Sequence, residues 1–305
     1  NTTELLGAGT TMRFMAGADV ELDRHLFLYD IRASRVHSAG LARIGVLSEA
    51  EANAICAELD RLALGFQDGT FVLDQRYEDG HSAIEAWLTE RLGEIGKKVH
   101  TGRSRNDQVL VASRLLLRDS LATLVDLCEQ TAAACLEQAY ACGDTPMPGY
   151  THLQRAVVSS VATWFAAFAE SFVDNGELAL SSARWIDANP LGTAAGFGVN
   201  LPLDRAYATS ELGFSRIQLN PIYAQNSRGK FELQALTAVA QALLDVRRYA
   251  WDLSLFTTAE FGFVSLPDAF TTGSSIMPNK RNPDLVELLR ASYPTVQGAM
   301  TELQS

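Results

Sequence analysis

From Ser104 to about Cys142, apolar residues recur at Leu117, Leu121, Leu124, Cys128, Ala132, Cys135 and Ala139. Steps of three and four held over that length place one apolar stripe on a helix much longer than the few turns usual in globular proteins. Such a helix cannot bury its stripe alone, so other long helices must lie beside it. The chain supplies them. Thr151 to about Ile186 carries Val161, Phe165, Phe168 and Phe172 on one side, and Gly229 to Phe256 spaces Leu236, Val239, Leu243 and Val246 by three and four. The break Gly143-Asp-Thr-Pro-Met-Pro-Gly149 is short and rich in turn formers, as a connection between bundle helices should be. The pattern predicts an all-α fold with a long central helical bundle.

The first hundred residues have a different texture. Shorter helices are expected at about 18–43, 48–65 and 80–94, the second opened by Ser48-Glu-Ala-Glu51, a capping-box spacing. A boundary near Thr101–Arg103 gives a smaller N-terminal helical domain, 1–102, and a central bundle domain, 103–305. No internal repeat, low-complexity tract or alternating strand pattern is visible.

Composition narrows the function classes. Hydrophobic content of 47% with 20% charged residues fits a soluble globular protein. The net charge of −11 argues against a nucleic-acid or anionic-membrane partner, since both require a basic surface. An anionic small molecule is not excluded, because a local basic pocket can sit inside an acidic protein. The most apolar stretch, Ala156–Ala169, contains Ser159, Ser160 and Thr163 and suits a core helix better than a bilayer span. No basic-then-apolar leader pattern opens the sequence. Cys128, Cys135 and Cys142 recur every seventh residue, about 10 Å apart on a helix. That is too far for a disulfide within the helix and unlike zinc-ligand spacing. The cysteines, with Cys56, therefore read as small core residues in a reducing compartment, and a cytoplasmic location without a bound metal is expected.

Three polar stretches stand at expected helix starts. In His100-Thr-Gly-Arg-Ser-Arg-Asn-Asp-Gln108, Ser104 and Asp107 have the Ser-x-x-Asp spacing of a helix N-terminus. It is either a capped helix with two solvated arginines or an anion site where Arg103 and Arg105 flank outward-pointing N–H groups. In Gly149-Tyr-Thr-His-Leu-Gln-Arg155, Thr151 and Gln154 again have capping spacing, with His152 on a short loop between them. In Gly273-Ser-Ser-Ile-Met-Pro-Asn-Lys-Arg-Asn-Pro283, Asn282 reads as a cap and Pro283 as the first helical residue, with Asp284 in the first turn. The Gly-Ser-Ser run is small and flexible, as a closing loop requires. Three helix N-termini bearing Ser, Thr, Asn, Arg, Lys and His suit a ligand with several carboxylates.

In this order across long helices, HTGRSRNDQ, GYTHLQR and GSSIMPNKRNP resemble the signature regions of the aspartase/fumarase superfamily. HTGRSRNDQ is most similar to its argininosuccinate lyase/δ-crystallin family. Tyr29-Asp-Ile31, Glu78-Asp-Gly-His-Ser-Ala-Ile-Glu85, Asn189-Pro-Leu-Gly192 and Leu203-Asp-Arg205 extend the likeness over nearly the whole sequence. The resemblance implies a homotetramer with a twenty-helix core, whose active sites each draw the three motifs from three subunits. It also implies a carbon–nitrogen lyase that needs no cofactor, splitting argininosuccinate into arginine and fumarate by anti β-elimination. On matching positions, Ser274 would take the Cβ proton, with Lys280 and Asn282 stabilising the charge that develops. His152, paired with Glu287, would protonate the leaving group. Ser104, Arg105, Asn106 and Thr151 would hold the substrate.

The sequence departs from the family where Val157-Val158 replaces Gln-Pro, where Pro221–Lys230 replaces an Asn-Ser-x-Asp-Ala…Ser-x-Arg-Asp segment, and at Gly80, where a larger residue is common. The family's C-terminal domain is also expected to be missing. Two alternatives share the scaffold. One is a lyase of the adenylosuccinate, aspartate or fumarate type, against which HTGRSRNDQ argues. The other is a crystallin-like structural protein.

Overall fold

A computed structural model of the protein describes Phe14 and residues 17–305. In chain order its helices are α1 (Asp19–Arg43), α2 (Glu49–Asp68), α3 (Gly80–Leu92), α4 (Glu94–Lys97) and α5 (Arg105–Cys142). They continue with α6 (Val161–Ile186), α7 (Arg205–Glu211), α8 (Pro221–Asn226), α9 (Lys230–Phe256) and α10 (Asp284–Gln304). Among the described residues six short strands pair two by two: β1 (Pro146–Thr151) with β2 (Gln154–Ser160), β3 (Ala188–Asn189) with β4 (Arg216–Ile217), and β5 (Thr272–Gly273) with β6 (Arg281–Asn282). The chain divides into two units. One holds the residues up to Asp119 with Arg184–Arg228, and the other holds Ser120–Ala183 with Gly229–Ser305.

In the first unit, α1, α2 and α3 follow the expected helices closely. Ser48 opens α2 through a reciprocal capping box: its hydroxyl accepts the Glu51 N–H at 3.3 Å and the Glu51 carboxylate accepts the Ser48 N–H at 2.9 Å. Such a cap is worth about 1 kcal/mol. Asp79 caps α3 by accepting the Ser82 N–H at 2.7 Å. The three helices share a core of Phe27, Ile31, Leu41, Ile55, Leu59, Leu62, Ile84 and Leu88, none more than 2% exposed. Full burial of each contributes roughly 1.5–3 kcal/mol. A second cluster joins Ala33 of α1 to Val111 and Leu115 of α5 and to Leu191, Ala208, Leu212 and Phe214. Arg114 is buried beside it and donates Nη1 to the carbonyls of Ile186 and Ala188, at 3.0 and 3.2 Å.

The second unit is the helical bundle. Cys128 and Ala132 of α5 pack with Phe172 of α6 and Ala242 of α9. A neighbouring core joins Met147 of β1, Trp164 of α6, Ala250 and Leu253 of α9 and Val286 of α10. Trp164 stacks on Tyr249 at 5.4 Å and donates Nε1–H to the Asp252 carboxylate at 2.9 Å, which satisfies its one polar atom.

Four expectations need correction. The helix expected from Thr151 starts only at Val161, and residues 146–160 form a hairpin, so the absence of strands does not hold. Prolines at 146 and 148 and the β-branched Thr151, Val157 and Val158 favour extended backbone there. Ser160 then caps α6, accepting the Thr163 N–H at 3.1 Å. Asn282 is not a cap: it lies in β6, and α10 begins at Asp284 after Pro283. Asn282 instead pairs with Thr272 across the neck of the preceding loop, and no side chain caps the helix. Cys128 and Cys135 are buried core residues, but Cys56 and Cys142 are only half-buried; all four are free thiols. Finally, the start of Ala156–Ala169 is strand rather than core helix. Among the described residues no helix is long and apolar enough to cross a membrane.

Candidate functional site

The first motif sits in the first unit. Ser104 precedes α5, and its hydroxyl accepts the Asn106 N–H at 3.2 Å and the Asn106 side-chain N–H at 3.1 Å. Asp107 fixes this turn. It is wholly buried: Oδ1 accepts the Ser104 N–H at 2.9 Å, and Oδ2 accepts the Gly192 and Ala194 N–H groups, each at 3.0 Å. The Ser-x-x-Asp spacing announced a helix start. It did not announce that one carboxylate would also clamp a loop 85 residues away.

The two arginines are not alike. Arg103 is buried, with Nη1 on the Ser34 hydroxyl at 2.9 Å, so it is not a solvated arginine. Burial lowers its pKa, and Asp30 and Asp107 oppose that. Arg105 is exposed but engaged: it pairs with Glu78 at 3.0 Å and Asp79 at 3.4 Å and reaches the Ser82 hydroxyl at 3.2 Å. The hydrogen bond to Glu78 raises its pKa. Close by, His81 Nδ1 lies 2.5 Å from the buried Asp30 carboxylate.

The second and third motifs belong to the other unit. In the β1–β2 hairpin, Thr151 pairs with Gln154, leaving His152-Leu153 as a two-residue turn. Both turn residues have positive φ, 55° and 57°, as the hairpin turn that matches strand twist demands. For non-glycine residues this conformation is costly, by about 1–3 kcal/mol each, and such strain concentrates at functional sites. The Thr151/Gln154 spacing that looks like a cap therefore closes a hairpin and puts His152 at its exposed tip. Behind it, Tyr150 packs edge-on against Phe261 at 5.4 Å.

The third motif is a loop tied at its neck. Thr272 pairs with Asn282 and Gly273 with Arg281, so Ser274 and Lys280 are the first and last residues of the closed loop. A hydrogen bond between the Thr272 hydroxyl and the Asp284 carboxylate reinforces the neck. Within the loop, the Met277 N–H donates to Ser274 Oγ at 3.3 Å, a contact that favours an alkoxide over a hydroxyl. Glu287 lies exposed in the first turn of α10, lining a cleft of about 770 Å³ with Arg247, Arg248, Trp251 and Arg290. The hairpin and the start of α10 share the core of Met147 and Val286. Among the described residues, no ion pair joins His152 to Glu287 within the chain.

A helical chain with one of these stretches in its first unit and two in its bundle unit defines a class, and comparison with known proteins bears on it. Residues 10–298 match the family described as Lyase. Over 291 residues the chain is 60% identical to argininosuccinate lyase of Stenotrophomonas maltophilia (strain R551-3), covering 95% of this chain and 68% of that protein. Argininosuccinate lyase of Xanthomonas oryzae pv. oryzae (strain PXO99A) is 59% identical with the same coverage. Among solved structures, EDDS lyase in complex with formate is 28% identical with a TM-score of 0.84, covering 95% of this chain and 57% of that one. A fumarate lyase:delta crystallin from Brucella melitensis, bound to cobalt, is 21% identical with a TM-score of 0.75, over 92% of this chain and 66% of that one, and speaks for the fold alone. The chain belongs to the lyase family, and within it to the argininosuccinate lyases, which are carbon–nitrogen lyases.

Proposed function

We propose that the full-length protein cleaves argininosuccinate to arginine and fumarate as a step of arginine biosynthesis in the cytoplasm. The observation that carries this reading is the 60% identity to argininosuccinate lyase across 291 residues, which include all three motifs. In this reading residues 1–102 form the N-terminal domain and 103–305 the central one.

The chemistry is an anti β-elimination. Ser274 removes the Cβ proton; a free serine is far too weak a base, and the Met277 N–H on its oxygen, with Lys280 across the neck, supports activation. The resulting carbanion delocalises onto a carboxylate, and Lys280 and Asn282 stabilise that charge. The C–N bond then breaks, and His152, paired with Glu287, delivers a proton to the departing guanidinium nitrogen. Ser104, Asn106 and Thr151 hold substrate carboxylates. Arg105 would assist only by loosening its pairs with Glu78 and Asp79.

His152 and Glu287 pair across subunits of a homotetramer in which three chains build each site. Large apolar side chains exposed on the bundle helices support such an assembly, among them Tyr140 at 85% and Leu288 at 69%. Light scattering of a stable, active monomer would contradict it. The function itself is tested by chromatography of the reaction products. Arginine and fumarate should form in equal amounts from argininosuccinate, and the absence of either overturns the proposal.

A further inference from the structure

The segment Pro221–Lys230, where the sequence leaves the family pattern, returns to the first motif. Asn220 caps α8 by accepting the Tyr223 N–H at 2.9 Å. Gln225 donates Nε2–H to the Ala194 carbonyl at 3.0 Å, and the Ala194 N–H is one of those held by Asp107. Ser227 is buried, accepts from Gln218 Nε2 at 3.0 Å and donates to the Ala224 carbonyl at 2.8 Å. These bonds tie the chain at 225–227 to the frame that holds the start of α5. Arg228 follows at once, and its Nη2 lies 3.0 Å from Asn106 Oδ1 and 3.2 Å from the Asn106 carbonyl oxygen.

Guanidinium groups only donate, so the side of the Asn106 amide facing Arg228 must be its oxygen. Nδ2 is then turned away. One of its two hydrogens meets Ser104 Oγ at 3.1 Å, and the second is left to offer to a ligand. Were the amide reversed, an oxygen would face a bound carboxylate, and the contact would turn from attractive to repulsive.

We propose that Arg228 is a positioning residue, which locks the Asn106 amide so that its N–H donor is directed at a substrate carboxylate. This rests on the reading of Asn106 as a substrate-holding residue. Arg228 touches no reacting atom in this scheme; it acts through Asn106, and its effect belongs in KM.

The test uses four variants of the full-length enzyme: Arg228→Ala, Arg228→Lys, Asn106→Ala and the double variant. Arg228→Ala is expected to raise KM about tenfold with kcat changed less than about threefold. Arg228→Lys, which keeps a donor and a charge, should recover part of that loss and also guards against a folding failure in the alanine variant. Asn106→Ala should raise KM at least as much, and the double variant should be no worse than Asn106→Ala alone. A KM unmoved by either Arg228 change, with Asn106→Ala impaired, overturns the positioning role while leaving Asn106 in place. Additive effects in the double variant overturn it too. An unaffected Asn106→Ala overturns the reading beneath it.

Discussion

Replacing Asp107 by alanine should be the most damaging single change outside the reacting groups. The carboxylate takes three backbone N–H groups, from Ser104, Gly192 and Ala194, at 2.9 to 3.0 Å, and it is fully buried. A hydrogen bond to a charged acceptor contributes about 1.5–3 kcal/mol net, and a buried donor left unpaired costs about 1–3 kcal/mol. Water entering the vacated volume would satisfy some of the three, so their sum is an upper bound. With part of that loss recovered by water, we expect about 3–5 kcal/mol here. Asp107→Asn should cost nearly as much, because an amide oxygen can serve only one side while its NH₂ confronts the donors on the other. Urea unfolding followed by circular dichroism, at one protein concentration because assembly contributes to stability, measures the loss. Since Ser104 loses its anchor, KM should rise even where the fold survives. An Asp107→Ala variant within about 0.5 kcal/mol of the wild type would refute the clamp.

Further outcomes follow from the same geometry. Ser274→Ala should lower kcat by about 10²–10⁴ with KM within about threefold, and turnover at the wild-type rate would remove Ser274 from the role of base. Two histidines of the first unit should tilt stability in opposite directions. Burial, then the Arg103 charge, pushes His37 down to about 3, so its contribution is complete above about pH 6.5 and is lost as the pH falls towards 3. Burial also lowers His81, but the Asp30 carboxylate outweighs it and the net shift is upward. The His81 contribution is therefore complete below about pH 6.5 and is lost as the pH rises through its folded value. Melting temperatures across pH should lose part of their acid slope in His37→Asn, the lowered carboxylates such as Glu51 supplying the rest, and part of their alkaline slope in His81→Asn; curves parallel to wild type would contradict both assignments. Gly96→Ala would put a Cβ 2.3 Å from the Leu88 carbonyl oxygen, a backbone clash expected to cost about 3 kcal/mol. A melting temperature equal to wild type would show that the α3–α4 junction yields.

The long helices were legible because their apolar stripes repeat over many turns, so small errors of phase do not matter. Ser48-Glu-Ala-Glu51 was legible because both halves of a capping box lie within four residues. The hairpin was not, since Thr151-x-x-Gln154 fits a helix cap and a two-residue turn equally well, and only tertiary packing of Tyr150 and Met147 decides. Charge was the other blind spot. Nothing local separates Arg103, buried against Ser34, from Arg105, exposed against Glu78 and Asp79. Asp107 and Arg228 acquire their meaning from partners 85 and 122 residues away. Residue type and spacing located the three motif loops, but their roles rest on resemblance to a family, because spacing alone allowed both surface loops and an anion site.

The function proposed for this chain turns on which substrate loses its C–N bond. Initial rates of fumarate release, read by ultraviolet absorbance with argininosuccinate, adenylosuccinate, aspartate and malate in parallel, test it most directly. The kcat/KM for argininosuccinate should stand at least about 10³ above the others, equivalent to about 4 kcal/mol of transition-state discrimination. An equal or higher value for any of the other three, or no fumarate from argininosuccinate, would contradict it.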